Sequence, residues 1–201
     1  DYNAINYNLA YEKVDDLKSF IFHERKRIVL YMFGIKSGKV LDMGCGPAVY
    51  TDKFSEAGYE IYGVDSSERM IEIAKSKNFK NAKFFVGSVE NLAFEDNFFD
   101  GVLCVGVLEY LDHIESGIKE IARVTKRGGV AIFTVPNGLS LLNKLDLLLR
   151  NLVKSIYKIL KISILASIID YEYKSKLVYK KELSTILKRN GLEERESRFH
   201  I

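Results

Sequence analysis

The chain has 201 residues, 47% hydrophobic and 28% charged, and its 30 Lys and Arg against 27 Asp and Glu leave a formal charge of +3. That is the composition of a single soluble globular domain with a full core, and the charge is too small to argue for nucleic acid. The opening residues Asp1-Tyr2-Asn3-Ala4 lack the charged-then-apolar pattern of a secretory leader, and the absence of a leading Met reads as a trimmed chain, so a cytoplasmic protein is expected.

An amino-terminal arm, residues 1–35, carries a helix from about Val14 to Phe33, apolar at Leu17, Phe20, Ile21, Ile28, Tyr31 and Met32 and charged at Glu24, Lys26 and Arg27. Strand-like runs follow at 39–43, 60–64, 83–86, 100–105 and 129–135. Between them come helices after Pro47 to about Ala57, from Ser67 to Lys77 with Ser66 or Ser67 as cap, and from about His113 to Val124, the last ended by Gly128 and Gly129. Alternating strands and helices predict a doubly wound α/β domain on a mostly parallel sheet, with ligand at the carboxyl ends of the strands. An insertion at 138–172 comes next. The chain closes with a helix over Lys180 to Asn190, stopped by Gly191, and a strand at about Leu192 to His200.

The first strand runs into a glycine turn, Val40-Leu41-Asp42-Met43-Gly44-Cys45-Gly46-Pro47-Ala48, and Asp65 ends the second strand 21 residues after Gly44. Two glycines one residue apart let backbone approach a ligand closely. A carboxylate at the end of the second strand accepts hydrogen bonds from a ribose held over the first turn. A dinucleotide fingerprint needs a small residue at position 49, which is Val49; the small residue is instead Ala48. Cys45 and Cys104 read as reduced, partly buried thiols. His23, His113 and His200 are too far apart in sequence to suggest a metal site.

The Gly-Cys-Gly core, the G-x-G-x-A spacing and the preceding Val-Leu-Asp resemble motif I of the class I S-adenosylmethionine-dependent methyltransferases. The segment Ile61 to Lys75 is similar to that family's second strand and following helix, and Phe85 to Leu92 to its third-strand turn, with Ser88 where the family usually has aspartate. Phe98 to Leu111 resembles its fourth strand and methyl-transfer loop. Lys126 to Asn137 resembles its fifth strand, in the form seen in quinone-biosynthesis enzymes. The resemblance implies a Rossmann-like methyltransferase fold, S-adenosylmethionine as cofactor and S-adenosylhomocysteine as product. It implies a cofactor site built from Asp42, Gly44, Cys45, Gly46, Asp65, Ser66, Met70, Gly87, Ser88, Val89, Val105 and Gly106, with Tyr7 of the arm folded over it. The family's sheet has seven strands, so the final hairpin looks incomplete here.

A sulfonium methyl is already activated, so the implied reaction needs chiefly alignment and exclusion of water. If the acceptor is a hydroxyl, Glu109 and His113 are the nearest candidate bases by motif position; each also reads as a loop or helix-start residue. The insertion carries charges at Asp146, Arg150, Lys154, Lys158 and Lys161 on one helical stripe, with leucine and isoleucine elsewhere. Three roles stay open for its 141–165 core: a lid, a surface helix on anionic lipid, or a dimer interface. The expectation is a methyltransferase for a small, apolar acceptor, oxygen slightly ahead of nitrogen or carbon. The alternative is a cofactor-binding regulatory protein of the same fold without turnover.

Overall fold

A computed structural model of the chain describes residues 17–34, 37–138, 140, 148 and 178–196. Tyr7, most of the 138–172 insertion and the carboxyl-terminal five residues lie outside the described residues. In chain order the elements are α1 (Leu17–Phe33), β1 (Lys39–Met43), α2 (Thr51–Glu56), β2 (Glu60–Asp65), α3 (Glu68–Ser76), β3 (Ala82–Val86), β4 (Phe99–Cys104), a 3-10 turn (Leu108–Tyr110), α4 (Ile114–Val124), β5 (Thr125–Phe133) and α5 (Lys180–Arg189).

The described residues form two compact units. The first runs up to Val107 and resumes over Ser116–Thr134; the second comprises Leu108–Glu115 and the described residues from Val135 onward.

In the first unit five strands pair in the order β3-β2-β1-β4-β5, all parallel. Burial explains the arrangement, since β1 and β4 at the centre bury Val40, Leu41, Met43, Val102 and Leu103 completely, as expected of strands covered on both faces. The order reverses between β1 and β4, and ligands of open α/β sheets bind above the carboxyl ends of the strands at such a switch point.

Alternation along β2 separates the two faces. Ile61 joins Val29, Phe33, Tyr50, Phe54 and Leu103 in the core beneath α1 and α2, where Phe33, Phe54 and Tyr59 pack edge to face with centroids 4.7–6.1 Å apart. Tyr62 joins an aromatic cluster with Phe85, Phe94, Phe98 and Phe99 on the other face. No helix connects β3 to β4. Residues 87–98 cross as a loop that covers this face with Leu92 and the phenylalanine rings.

Arg123, in the last turn of α4, holds that loop in place. Its guanidinium donates to the Leu92 carbonyl at 2.9 Å, the Phe94 carbonyl at 2.6 Å, Asp96 at 2.9 Å and Glu120 at 2.7–2.8 Å. Glu120 in turn accepts the Leu92 N–H at 2.7 Å. Glu120 is buried, and the guanidinium beside it holds its carboxyl below the usual range. Arg123→Ala strands that carboxylate and two loop carbonyls. The expected loss of stability in urea unfolding is about 2 kcal/mol, the scale of losing part-buried hydrogen bonds to a charged group. Arg123→Lys recovers little of it, because an ammonium does not reproduce the planar fork.

Two local expectations are corrected. The helix after Pro47 starts only at Thr51; Ala48 adopts positive φ (61°), which a right-handed helix cannot include. Gly128 and Gly129 do not end α4. The helix stops at Val124 and the chain enters β5 at once: Thr125 pairs with Phe99 and Val130 with Gly101, so residues 126–129 bulge out with Gly128 at φ 77°.

The second unit contains α5, which buries Ile186 and Leu187 and ends at Gly191 with φ 73°, as the sequence predicts. Val178 bridges Asn137 in parallel, and the Gly138 N–H donates to the Val178 carbonyl at 2.8 Å. Residues 192–196 hold no strand, which corrects the strand expected there over its described part.

Candidate cofactor site

The turn after β1 is shaped by three left-handed residues. Gly44 and Cys45 both donate their N–H groups to the Val64 carbonyl, at 2.7 and 3.0 Å, which pins the turn to the end of β2. A Cβ on Gly44 would overlap the Val107 side chain, so only glycine fits there. Ala48 pays the Cβ penalty of the left-handed region. Cys45 is buried, and desolvation pushes its thiol above the usual range, so it packs rather than reacts.

Asp65 organises this turn from the neighbouring strand. One carboxylate oxygen accepts the Gly46 N–H at 2.8 Å and the other accepts the Ser67 N–H at 2.9 Å. The group is only half-buried, and each oxygen keeps a second acceptor site. Ser67 caps α3 by accepting the Met70 N–H at 3.3 Å, which selects Ser67 over Ser66 as the cap; Ser66 is exposed and Met70 half-buried.

Asp42 lies inside the same end of the sheet. It is buried, and its Oδ2 has no hydrogen-bond partner among the described residues. Burial, and secondarily the charge of Asp65, pushes its carboxyl up to about 7. A buried acid left with an open oxygen beside a second carboxylate costs the fold stability rather than adding to it.

The remaining predicted residues of the first unit fall where successive strands end. Gly87 follows β3 and donates its N–H to the Asp65 carbonyl at 2.9 Å; Ser88 is exposed, its Oγ accepting the Glu90 N–H at 3.2 Å, and Val89 is buried. Val105 and Gly106 follow β4, Val105 buried and Gly106 at φ 71°. Glu109 belongs to the second unit, half-buried in the 3-10 turn, and His113 is exposed just before α4. No group of three or more His, Cys, Asp or Glu side chains that could hold a metal ion occurs among the described residues.

Two polar atoms of this region carried no usable signal in the sequence. Thr51 Oγ1, at the start of α2, and His23 Nε2, on α1, are buried without a partner among the described residues. Lys26, one turn after His23, donates to Asp52 at 2.8 Å, so that side of α1 faces the start of α2.

Residues 41–133 match the family model described as a methyltransferase domain. Over that span, a little under half of its length, the chain is similar to the class I S-adenosylmethionine-dependent methyltransferases. Among curated relatives, the demethylmenaquinone methyltransferase of Staphylococcus saprophyticus is 38% identical over 136 residues, covering 63% of this chain and 58% of that one. That of Staphylococcus carnosus is 35% identical over 134 residues, covering 63% and 56%. The chain therefore matches little more than half the length of these relatives. A solved S-adenosylmethionine-dependent methyltransferase from Thermotoga maritima, described as a possible histamine N-methyltransferase, shares the fold. Its TM-score is 0.65 at 23% identity, covering 96% of this chain and 78% of that one.

The family's cofactor is S-adenosylmethionine, and the residues present fit it. The cofactor offers hydrogen-bond donors in a ribose diol and an ammonium. Asp65 and Asp42 provide open carboxylate acceptors at the ends of adjacent strands.

Proposed function

We propose that the chain transfers a methyl group from S-adenosylmethionine to a small, apolar acceptor, with a hydroxyl oxygen as the favoured acceptor atom. The observation that carries this reading is the pair of carboxylates with open acceptor sites, Asp65 and Asp42, set around a left-handed glycine turn. In this reading Asp65 accepts from both ribose hydroxyls while still holding the turn, and Asp42 accepts from the amino-acid ammonium. Gly44, Cys45 and Gly46 keep backbone close to the nucleoside. Ser66 and Met70 flank the ribose, Gly87, Ser88 and Val89 border the adenine, and Val105 and Gly106 border the transferred methyl. The Ser88 hydroxyl takes the place of the more usual charged acceptor.

The bound cofactor supplies an activated sulfonium methyl. The protein's share would be to align the acceptor oxygen with that methyl and to keep water out. Glu109 is the first candidate to take the acceptor's proton and His113 the second. Tyr7 of the 1–35 arm closes over the cofactor, offering a ring face to the sulfonium or a hydroxyl to the carboxylate. The leucine-rich insertion at 138–172 acts as a lid, with its basic stripe offering peripheral contact to a membrane through 141–165. The leucine- and isoleucine-rich sequence of 141–165, together with the quinone in the relatives' name, supports the choice of acceptor. Among the described residues no helix is long and apolar enough to cross a membrane.

Calorimetric titration with S-adenosylmethionine, S-adenosylhomocysteine and NAD tests the cofactor, and turnover against quinols, phenols and a small hydrophilic amine tests the acceptor. Saturable binding of the two sulfur nucleosides but not NAD, followed by methylation of a phenol or quinol, is the expected outcome. Turnover confined to the amine would overturn the acceptor assignment, and binding without any product would leave the regulatory reading in its place.

A further inference from the structure

Beyond the residues expected to touch the cofactor, one hydroxyl governs how the two ligand-facing turns meet. β4 ends at Cys104, paired with Phe133 of β5. One residue on, the Thr134 N–H donates to the Cys104 carbonyl at 3.1 Å, so the two chains stay in register for a further rung. There the ladder stops, because β4's continuation turns away at Gly106 with φ 71°. The Gly106 N–H has no strand carbonyl to meet and donates instead to Thr134 Oγ1, at 2.7 Å. A side-chain oxygen has replaced the next main-chain acceptor at the residue where the chain changes direction.

That turn delivers Val107 onto Gly44. The Val107 methyls fill the space a Cβ on Gly44 would occupy, so the loop after β4 and the turn after β1 pack as one surface. β-Branched valine is stiff about χ1 and transmits a displacement of its backbone.

We infer that Thr134 is a positioning residue for the cofactor site: its hydroxyl fixes the Gly106 turn, and through Val107 it fixes the Gly44 turn. The inference deepens the proposed function and rests on it for its ligand readout, while a second readout does not depend on any ligand.

Thr134→Val keeps the shape and removes the acceptor; Thr134→Ser keeps the acceptor. With wild-type protein as reference, S-adenosylhomocysteine affinity is measured by calorimetry and backbone amide exchange by mass spectrometry without ligand. T134V is expected to bind about tenfold more weakly, the scale of leaving one part-buried donor unpaired, and to exchange faster both at 105–108 and at 44–48. T134S is expected to match wild type within about twofold in both, on the same scale. A folded T134V with wild-type exchange at 44–48 overturns the inference whatever the ligand result, because a merely structural hydroxyl would loosen 105–108 alone. If T134V does not fold, Val107→Ala takes its place: faster exchange at 44–48 supports the link and unchanged exchange overturns it. Wild-type protein that binds no S-adenosylhomocysteine counts against the proposed function, and the exchange at 44–48 then decides this inference alone.

Discussion

Asp42→Asn is expected to raise the melting temperature of the cofactor-free protein at pH 8 while weakening its hold on S-adenosylhomocysteine. Burial and the neighbouring Asp65 charge lift the Asp42 carboxyl from 3.8 to about 7. Between those values the folded chain binds a proton that the unfolded chain has released, so this group makes stability fall as pH rises through the window. Above about pH 7 the whole cost is in place, roughly 3 to 5 kcal/mol at one pH unit per 1.4 kcal/mol. The amide variant carries no such cost, and its melting temperature should exceed that of wild type by about 5 °C or more at pH 8. The gap should close towards pH 4, where wild type is protonated as well. Affinity moves the other way. Losing a charged acceptor for the ammonium should weaken binding by about 1.5 to 3 kcal/mol. Melting curves from pH 4 to 8 together with calorimetry check both parts. Parallel pH profiles for the two proteins would mean that Asp42 is ionised throughout.

Asp65→Ala should reduce affinity for S-adenosylhomocysteine by at least 1.5 to 3 kcal/mol, about ten- to 150-fold. The structure adds a second loss to the ribose contact, since the Gly46 and Ser67 N–H groups held at 2.8 and 2.9 Å are left without an acceptor. Asp65→Asn separates the two effects poorly, because its amide nitrogen cannot accept from either N–H. The informative companion is the pH profile: with the Asp65 charge gone, the Asp42 midpoint should move below that of wild type, by loss of the like charge. An affinity equal to wild type would remove the ribose assignment, whatever the stability change.

These two carboxylates were legible in the sequence because each stands at a fixed place in a repeated grammar, an apolar strand followed by a turn. The same grammar gave the sheet, since β1 to β5 are dense apolar runs separated by amphipathic segments with capping serine or glycine. It failed where one local signal serves two outcomes. Two glycines after an amphipathic helix mark a helix end or a strand bulge equally well, and only the Thr125 pairing with Phe99 decides between them. Ala48 was visible as a small residue, but its positive φ depends on the turn closing through Cys45 and Gly46. Asp42's unpartnered oxygen, and Thr134's hold on Gly106 from 28 residues away, are products of tertiary placement that no linear spacing reports.

The helix-free crossing from β3 to β4 has a consequence for the cost of binding. Its first residues, Gly87 to Val89, are those proposed to border the adenine, and its other end is clamped from beneath by Arg123. A loop of this length ordered only by its ligand would charge the ordering entropy to every binding event. Here a guanidinium on α4 freezes the loop during folding. Loosening Arg123 is therefore expected to appear as a weaker, more entropically opposed association.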